Sequence, residues 1–278
     1  MLLNRTRDLT DQVVVITGST GGFGTALAHE LVTRGARIAL IARRPEAAQA
    51  QAAGLSGLDS ARGWCADVTD LGRLDDVMGG IADHFGRIDV VVANAGLDLA
   101  GSVASQSEAD FAHIIDVNLV GTWRTFKAAL PYLNADSYLL AVASMAAFVH
   151  FPLQAAYCAS KAGLLAMVNS LRLEVRHEGV KVGSIHPTFF DTPLMDKMLA
   201  DPVGQAIWGG NGPGMWQFVP IERVVADTIA GIERRAELVA SPGRMHAVAL
   251  TSALWRKPIE WIGFREREIA RAVQLAAK

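Results

Sequence analysis

Cysteine is nearly absent. The 278 residues hold two, Cys65 and Cys158, and their separation suits neither a metal-ligand set nor a redox pair nor a disulfide framework. This excludes the small disulfide-built secreted scaffolds and makes a reducing, cytoplasmic compartment the simplest expectation, with no metal site. Long apolar runs are missing as well. No stretch reaches the roughly 18 apolar residues of a membrane span, and the opening MLLNRTRDLTDQ has too few apolar residues for a signal peptide. A soluble chain is therefore expected. Nor is there an excess of one charge. The formal net charge is −2, and no basic run extends beyond two residues. That removes the broad electrostatic pull needed to bind nucleic acid, which is not expected as a partner. No repeat and no low-complexity linker interrupts the chain.

The chain is 51% hydrophobic, ample for one large core. Almost wholly apolar runs recur at 12–17 (QVVVIT), 37–42 (RIALIA), 62–66 (RGWCA), 88–93 (IDVVVA), 137–143 (SYLLAVA) and 180–185 (VKVGSI). Continuous rather than alternating runs mark strands buried on both faces. Helical patterns separate them: Phe23, Leu27 and Leu31 recur at four-residue spacing with Gly35 as a stop, and a later helix opens on a capping box from Ser105 to Glu108. The alternation predicts an α/β fold, a doubly wound parallel sheet of Rossmann-like type with helices on both faces, as a single domain over residues 1–278.

The regular pattern fails over 188–220, where glycine, proline and aromatic residues crowd together. Long loops in compact domains are usually functional, so this stretch is read as a substrate lid loop. A helix from about Ile221 to Arg235 and a strand near ELVA follow. Then comes a C-terminal extension, 241–278, whose tail LWRKPIEWIGFREREIARAVQLAAK is expected to form an amphipathic helix. Trp255, Trp261 and Phe264 lie there beside Arg256, Lys257 and Arg265, a combination that suits a membrane surface. Packing on its own domain or on a sister subunit is favoured over peripheral membrane contact.

Two short stretches carry chemistry. TGSTGGFG, residues 17–24, runs from the first strand into a helix, the context in which glycines Gly18, Gly22 and Gly24 let backbone N–H groups approach a pyrophosphate. AAYCASKAG, residues 155–163, sets Tyr157 and Lys161 four apart on one face of a helix, in a chain with only three tyrosines. Taken alone, that pair reads equally well as an aromatic ring resting on a lysine stem.

With their neighbours these stretches resemble the short-chain dehydrogenases/reductases, in the single-domain branch with a Tyr-x-x-x-Lys pair, over roughly residues 10–240. TGSTGGFG is similar to the family's cofactor turn, and Asp67 in CADV to its adenine-contacting aspartate. ANAG at 93–96 is similar to its fourth-strand motif, with Ala93 where asparagine is usual. Asn118 in DVNLVG, Ser144 in VASMAA, Tyr157 and Lys161 follow in the family's order and spacing. The resemblance implies hydride transfer between a carbonyl and a secondary alcohol, carried out by a homodimer or homotetramer, with Asn118, Ser144, Tyr157 and Lys161 as the catalytic set. It also implies a nicotinamide cofactor held by Gly18, Ser19, Gly22, Phe23, Gly24, Arg43, Arg44, Asp67, Val68, Asn94, Ala95, Gly96, Tyr157, Lys161, Pro187 and Thr192. The alternative is a catalytically silent NADP-binding regulatory or scaffold protein, which would have no need of the tyrosine and serine.

Hydride transfer to a carbonyl leaves an alkoxide that needs a proton, and an ordinary phenol with pKa about 10 donates and accepts sluggishly at neutral pH. The Lys161 ammonium would favour the phenolate of Tyr157. The resemblance implies that this lysine also binds the nicotinamide ribose and that Asn118 holds a water relayed to it. Ser144 would donate a hydrogen bond to the reacting oxygen. At the end of the second strand, Ala42 stands where an acid would take a ribose hydroxyl, and Arg43 and Arg44 follow. NADP is therefore the expected cofactor, with Ser19 adding a hydrogen bond to its phosphate. One departure from the family pattern is HPTFFDTP, in which Pro187 is kept, Thr188 replaces the usual glycine and Thr192 is the expected carboxamide contact. A Cβ at 188 restricts the backbone. Phe189, Phe190, Trp208, Trp216 and Phe218, with few charges around them, point to a bulky, uncharged, lipophilic substrate.

Overall fold

The computed structural model describes residues 6–55, 60–191, 195, 199–208, 217–263 and 266–276. Seven strands are present among the described residues: β1 Val13–Thr17, β2 Arg37–Ala42, β3 Ala61–Cys65, β4 Val90–Ala93, β5 Tyr138–Val142, β6 Lys181–Pro187 and β7 Leu238–Ser241. They form one wholly parallel sheet in the order β3-β2-β1-β4-β5-β6-β7. The order reverses between β1 and β4. In open α/β sheets the crevice beyond that switch point is where ligands bind.

The strands are apolar throughout because each one feeds two cores. Val14 and Ile16 turn to one side, where they meet Leu27, Leu31, Leu140 and Ile229 beneath α1 (Gly22–Thr33) and α8 (Ile221–Arg234). Val13 and Val15 turn to the other, where they meet Leu74, Ile81, Leu139 and Leu164 beneath α3 (Leu71–Phe85), α5 (Gly121–Ala129) and α6 (Ala155–Glu174). All four valine and isoleucine side chains are fully buried. A polar residue at any of them would sit in a core, so the two-residue alternation of a half-exposed strand is absent.

Further helices are α2 (Pro45–Gly54), α4 (Glu108–Ile115), α7 (Pro202–Trp208), α9 (His246–Leu250), α10 (Ser252–Gly263) and α11 (Glu266–Ala276). Three expectations are corrected here. The cap of α4 is Ser107, whose Oγ accepts the Asp110 N–H at 3.0 Å, whereas Ser105 closes a local turn with Ser102. The segment 188–220 includes a helix, α7, where an irregular loop was expected. The tail is two helices rather than one, with Gly263 ending the first.

Ala272 of α11 is buried with Ile207 of α7 and with Leu153, so the end of the tail packs on its own chain. Trp255 in α10 is half-exposed. Trp216, Phe264 and Arg265 lie outside the described residues, as do the side chains of Trp208, Arg256 and Trp261. Among the described residues no helix is long and apolar enough to cross a membrane.

One glycine is obligatory for the sheet. Tyr138 at the start of β5 is fully buried and donates its hydroxyl to the Ala236 carbonyl at 2.6 Å, reaching across β6. A Cβ on Gly183 would lie 2.0 Å from that same carbonyl oxygen and 2.5 Å from the phenol oxygen. Gly183→Ala must therefore break the bond or displace a strand. It should lower stability by about 1–3 kcal/mol in urea denaturation; an unchanged midpoint would contradict this packing.

Candidate functional site

A cavity of about 1530 Å³ opens along the carboxyl ends of β1, β2, β4, β5 and β6. One end is built by the turn after β1. Gly18 has φ +61°, and a Cβ there would lie 2.8 Å from the Ala95 Cα, so only glycine lets this turn meet the one after β4. Gly24 is equally confined, with its virtual Cβ 2.7 Å from the Gly18 carbonyl oxygen. The two turns are tied together by side chains. Asn94 Nδ2 donates to the carbonyls of Thr17 and Gly18, each at 3.0 Å, and Thr17 Oγ1 accepts the Asn94 and Ala95 N–H groups. Helix α1 begins at Gly22 with no side-chain cap, and Gly22 and Phe23 in its first turn line the cavity.

Arg43 and Arg44 follow β2, exposed at the cavity edge, and neither has an ion pair among the described residues. Asp67 and Val68 line the same end. Burial disfavours the Asp67 carboxylate, but the backbone and hydroxyl of Thr69, with Arg43 and His113 nearby, outweigh it and hold the carboxyl below its usual range. Ser19 is placed differently from expectation. It is fully buried, its hydroxyl has no partner among the described residues, and it does not line the cavity. Thr20, exposed beside the two arginines' end, does. Thr192 lies outside the described residues. Pro187 and Thr188 line the cavity, and Thr188 donates its N–H to the Ser241 carbonyl at 2.8 Å without entering left-handed backbone space. The Cβ that replaces the family's glycine is accommodated.

At the middle of the cavity the structure brings together Ser144, Tyr157 and Lys161. Ser144 stands just past β5, and its Oγ accepts the Ala146 N–H at 3.1 Å. Tyr157 lies in the first turn of α6 with some surface toward the cavity. Burial pushes its phenol well above the ordinary range and the Asp98 carboxylate adds to this, while the Ser144 hydroxyl works against both. Lys161, one turn on, is only 5% exposed. Its Nζ donates to the Val142 carbonyl at 2.9 Å and lies 5.5 Å from the centre of the Tyr157 ring. Desolvation lowers its pKa to about 8, against the pull of Asp98.

Asn118 stands behind this group and does not line the cavity. It sits in a π-helical turn, Asp116–Val120, between α4 and α5. Its Oδ1 accepts the Leu97 N–H at 2.8 Å, and its Nδ2 donates to the Leu97 carbonyl and to Ser160 Oγ. A Cβ on Gly96 would meet that Oδ1 at 3.3 Å and Lys161 Nζ at 3.8 Å, so a side chain at 96 would fill the space in front of the lysine.

Besides Thr20, three residues of the site were not singled out from sequence. His186 is fully buried in β6. Its Nδ1 faces the Ser144 carbonyl at 3.0 Å and its Nε2 faces Ser184 Oγ at 2.8 Å, which fixes the strand end that carries Ser144. Burial depresses it to about pKa 4, so it is neutral. The others are Asp98 and Gln154, which share a hydrogen bond in the cavity wall. Beyond Tyr157 the wall is largely apolar, with Leu97, Val149, Phe151, Phe189, Met245 and Val248, and Asp201 and Arg244 are its further charged members. Phe189 stacks on Phe218 and packs against Phe151, and Phe190 packs against Phe23.

Comparison with known proteins agrees with this architecture. The family model described as short chain dehydrogenase matches residues 12–202. An uncharacterised oxidoreductase of Staphylococcus epidermidis is 36% identical over 188 residues, which cover 67% of this chain and 81% of the relative. The D-beta-hydroxybutyrate dehydrogenase of Rhizobium meliloti is 33% identical over 195 residues (68% and 76%), and the D-threitol dehydrogenase of Mycolicibacterium smegmatis 34% over 202 (72% and 78%). A crystal structure of a short-chain dehydrogenase/reductase, a glucose/ribitol dehydrogenase from Brucella melitensis, superposes with a TM-score of 0.73 at 26% identity, covering 81% of this chain and 90% of that one. The sheet, the turns that bound its cavity and these relatives agree: the chain belongs to the short-chain dehydrogenase family of oxidoreductases.

Proposed function

We propose that this oxidoreductase uses NADP to interconvert a carbonyl and a secondary alcohol on a bulky, lipophilic substrate. The observation that carries the reading is one cavity with two unlike ends. Arg43 and Arg44, with no ion pair among the described residues, follow β2, whose last residue is Ala42 rather than an acid, and a largely apolar wall lies beyond Ser144, Tyr157 and Lys161. An acid in place of Ala42 would suit a ribose hydroxyl, whereas a free guanidinium suits a phosphate. Thr20 replaces Ser19 as the hydroxyl offered to that phosphate. The glycine turn, the uncapped start of α1 and the space in front of Gly96 fit a dinucleotide, and Asp67, Val68 and Asn94 to Gly96 would hold its adenosine and nicotinamide halves.

When bound, the nicotinamide cofactor would supply hydride to the carbonyl carbon, and this chain's residues would manage the charge that develops on oxygen. Tyr157 gives its phenolic proton to that oxygen, and Ser144 donates a hydrogen bond to it. Lys161, its charge confined by burial, favours the phenolate left behind, while Asn118 acts from behind by pinning the backbone at Leu97. Phe189, Phe190 and Met195 of the 188–220 segment line the cavity and support its reading as a substrate lid. Two relatives are named for small hydroxylated substrates. Here Leu97, Val149, Phe151 and Phe189 favour a larger apolar body.

NADPH should bind at least about tenfold more tightly than NADH, a gap of about 1.4 kcal/mol, and Arg43→Asp should reverse the preference. Equal affinities in a fluorescence titration would refute the cofactor assignment. Separately, Tyr157→Phe should lower kcat by roughly 10²-fold or more with little change in NADPH affinity. Near-normal turnover of a ketone that the native enzyme reduces would remove Tyr157 from the mechanism.

A further inference from the structure

The segment after β4 is fastened on both sides of Asp98. Asn118 holds Leu97 by its N–H and its carbonyl, and the Gly101 N–H donates to the Leu153 carbonyl at 2.8 Å. Leu153 takes φ +59°, a left-handed conformation that a leucine keeps only where its surroundings enforce it. Next to it, Gln154 is 4% exposed and donates its Nε2 to Asp98 Oδ2, three residues before Tyr157. The other oxygen, Asp98 Oδ1, is shut off from solvent and has no partner of good hydrogen-bond geometry among the described residues, although Asp98 lines the cavity. A carboxylate oxygen enclosed without a partner is costly, and such a group in a native site calls for an explanation.

We propose that Asp98, held in place by Gln154, is a substrate-recognition residue that accepts a hydrogen bond from a neutral hydroxyl carried next to the reacting carbonyl. The inference rests on the oxidoreductase reading above and deepens it: the substrate is an apolar body with one hydroxyl beside its ketone. Rotation of a carboxyl about its last torsion is soft, so a turn small enough to keep the Gln154 bond is able to aim the unused acceptor at a bound ligand. Asp98 lines the same cavity as Ser144, Tyr157 and Lys161, and its charge acts on both the phenol and the ammonium, so it stands near where the carbonyl must sit. A cationic donor is disfavoured, because Lys161 already answers the charge of Asp98 and would repel a second cation. Burial raises the Asp98 carboxyl to about pKa 6, with the Leu99 N–H and Lys161 opposing it, so it remains an acceptor at neutral pH.

The test compares benzoin with deoxybenzoin, bulky ketones that differ by one hydroxyl next to the carbonyl, and with the corresponding aminoketone, all reduced with NADPH. The wild-type enzyme should favour benzoin over deoxybenzoin by about tenfold or more in kcat/KM. Asp98→Leu, shown to be folded by NADPH binding, should bring that ratio close to one. A wild-type ratio near one overturns the inference without recourse to any variant, as does a preference that survives Asp98→Leu, and in both cases the reduction of deoxybenzoin leaves the oxidoreductase reading standing. Preference for the aminoketone overturns the neutral donor. Failure to reduce any of the three, or other bulky ketones, overturns the lipophilic-carbonyl reading and this inference with it.

Discussion

A lysine ammonium buried at the end of a parallel sheet sets the terms for everything around it. Lys161 is removed from water, and the loss of hydration would expel or neutralise it were it not anchored to the Val142 carbonyl at 2.9 Å and faced by Asp98. Those contacts leave it charged but easily titrated, directly beneath the ring of Tyr157. The tyrosine is in the opposite condition, since burial and the nearby carboxylate both favour the neutral phenol. In the proposed mechanism the site stores a proton on Tyr157 and keeps a positive charge one helical turn away, to stabilise the phenolate once the proton has left.

The fold exists in this form because three strand ends must meet that pair. The switch in strand order between β1 and β4 opens the crevice, and the Gly18 turn and the Asn94 side chain close its floor. β5 brings Val142 and Ser144. β6 brings His186, whose neutral ring braces the Ser144 backbone from behind. Asn118, held in a π-helical turn, fixes the chain at Leu97 and with it the position of Asp98. Charged or polar side chains thus reach the cavity from the ends of β4 and β5 and from α6, while the apolar wall comes from Leu97, the 145–154 stretch, the segment after β6 and Met245 and Val248 after β7.

Much of this was legible in the sequence, for a physical reason in each case. A strand buried on both faces must be apolar at every position, so RIALIA and its counterparts announced a parallel sheet, and β2 falls on the expected residues, 37–42. Glycine turns and a tyrosine four residues before a lysine are local patterns, readable without tertiary contacts. Orientation was not readable. Ser19 and Thr20 are adjacent hydroxyl residues in one turn, and only the backbone decides that the first faces the core and the second the cavity. Ser105 and Ser107 compete to cap the same helix, and the choice depends on how Ser102 folds the preceding turn. Asp98, Gln154 and His186 meet partners from other strands and loops, contacts that no local spacing encodes.

The central claim, that a buried and charged Lys161 makes Tyr157 a competent proton donor, is tested most directly by the pH dependence of carbonyl reduction at saturating NADPH. Because the lysine is depressed to about 8 while the phenol is raised, the group lost first on the alkaline side is the ammonium. The account predicts that kcat/KM for the ketone is steady at neutral pH and falls as pH rises through about 8. A profile that stays level to about pH 10, where an ordinary lysine begins to titrate, would contradict it.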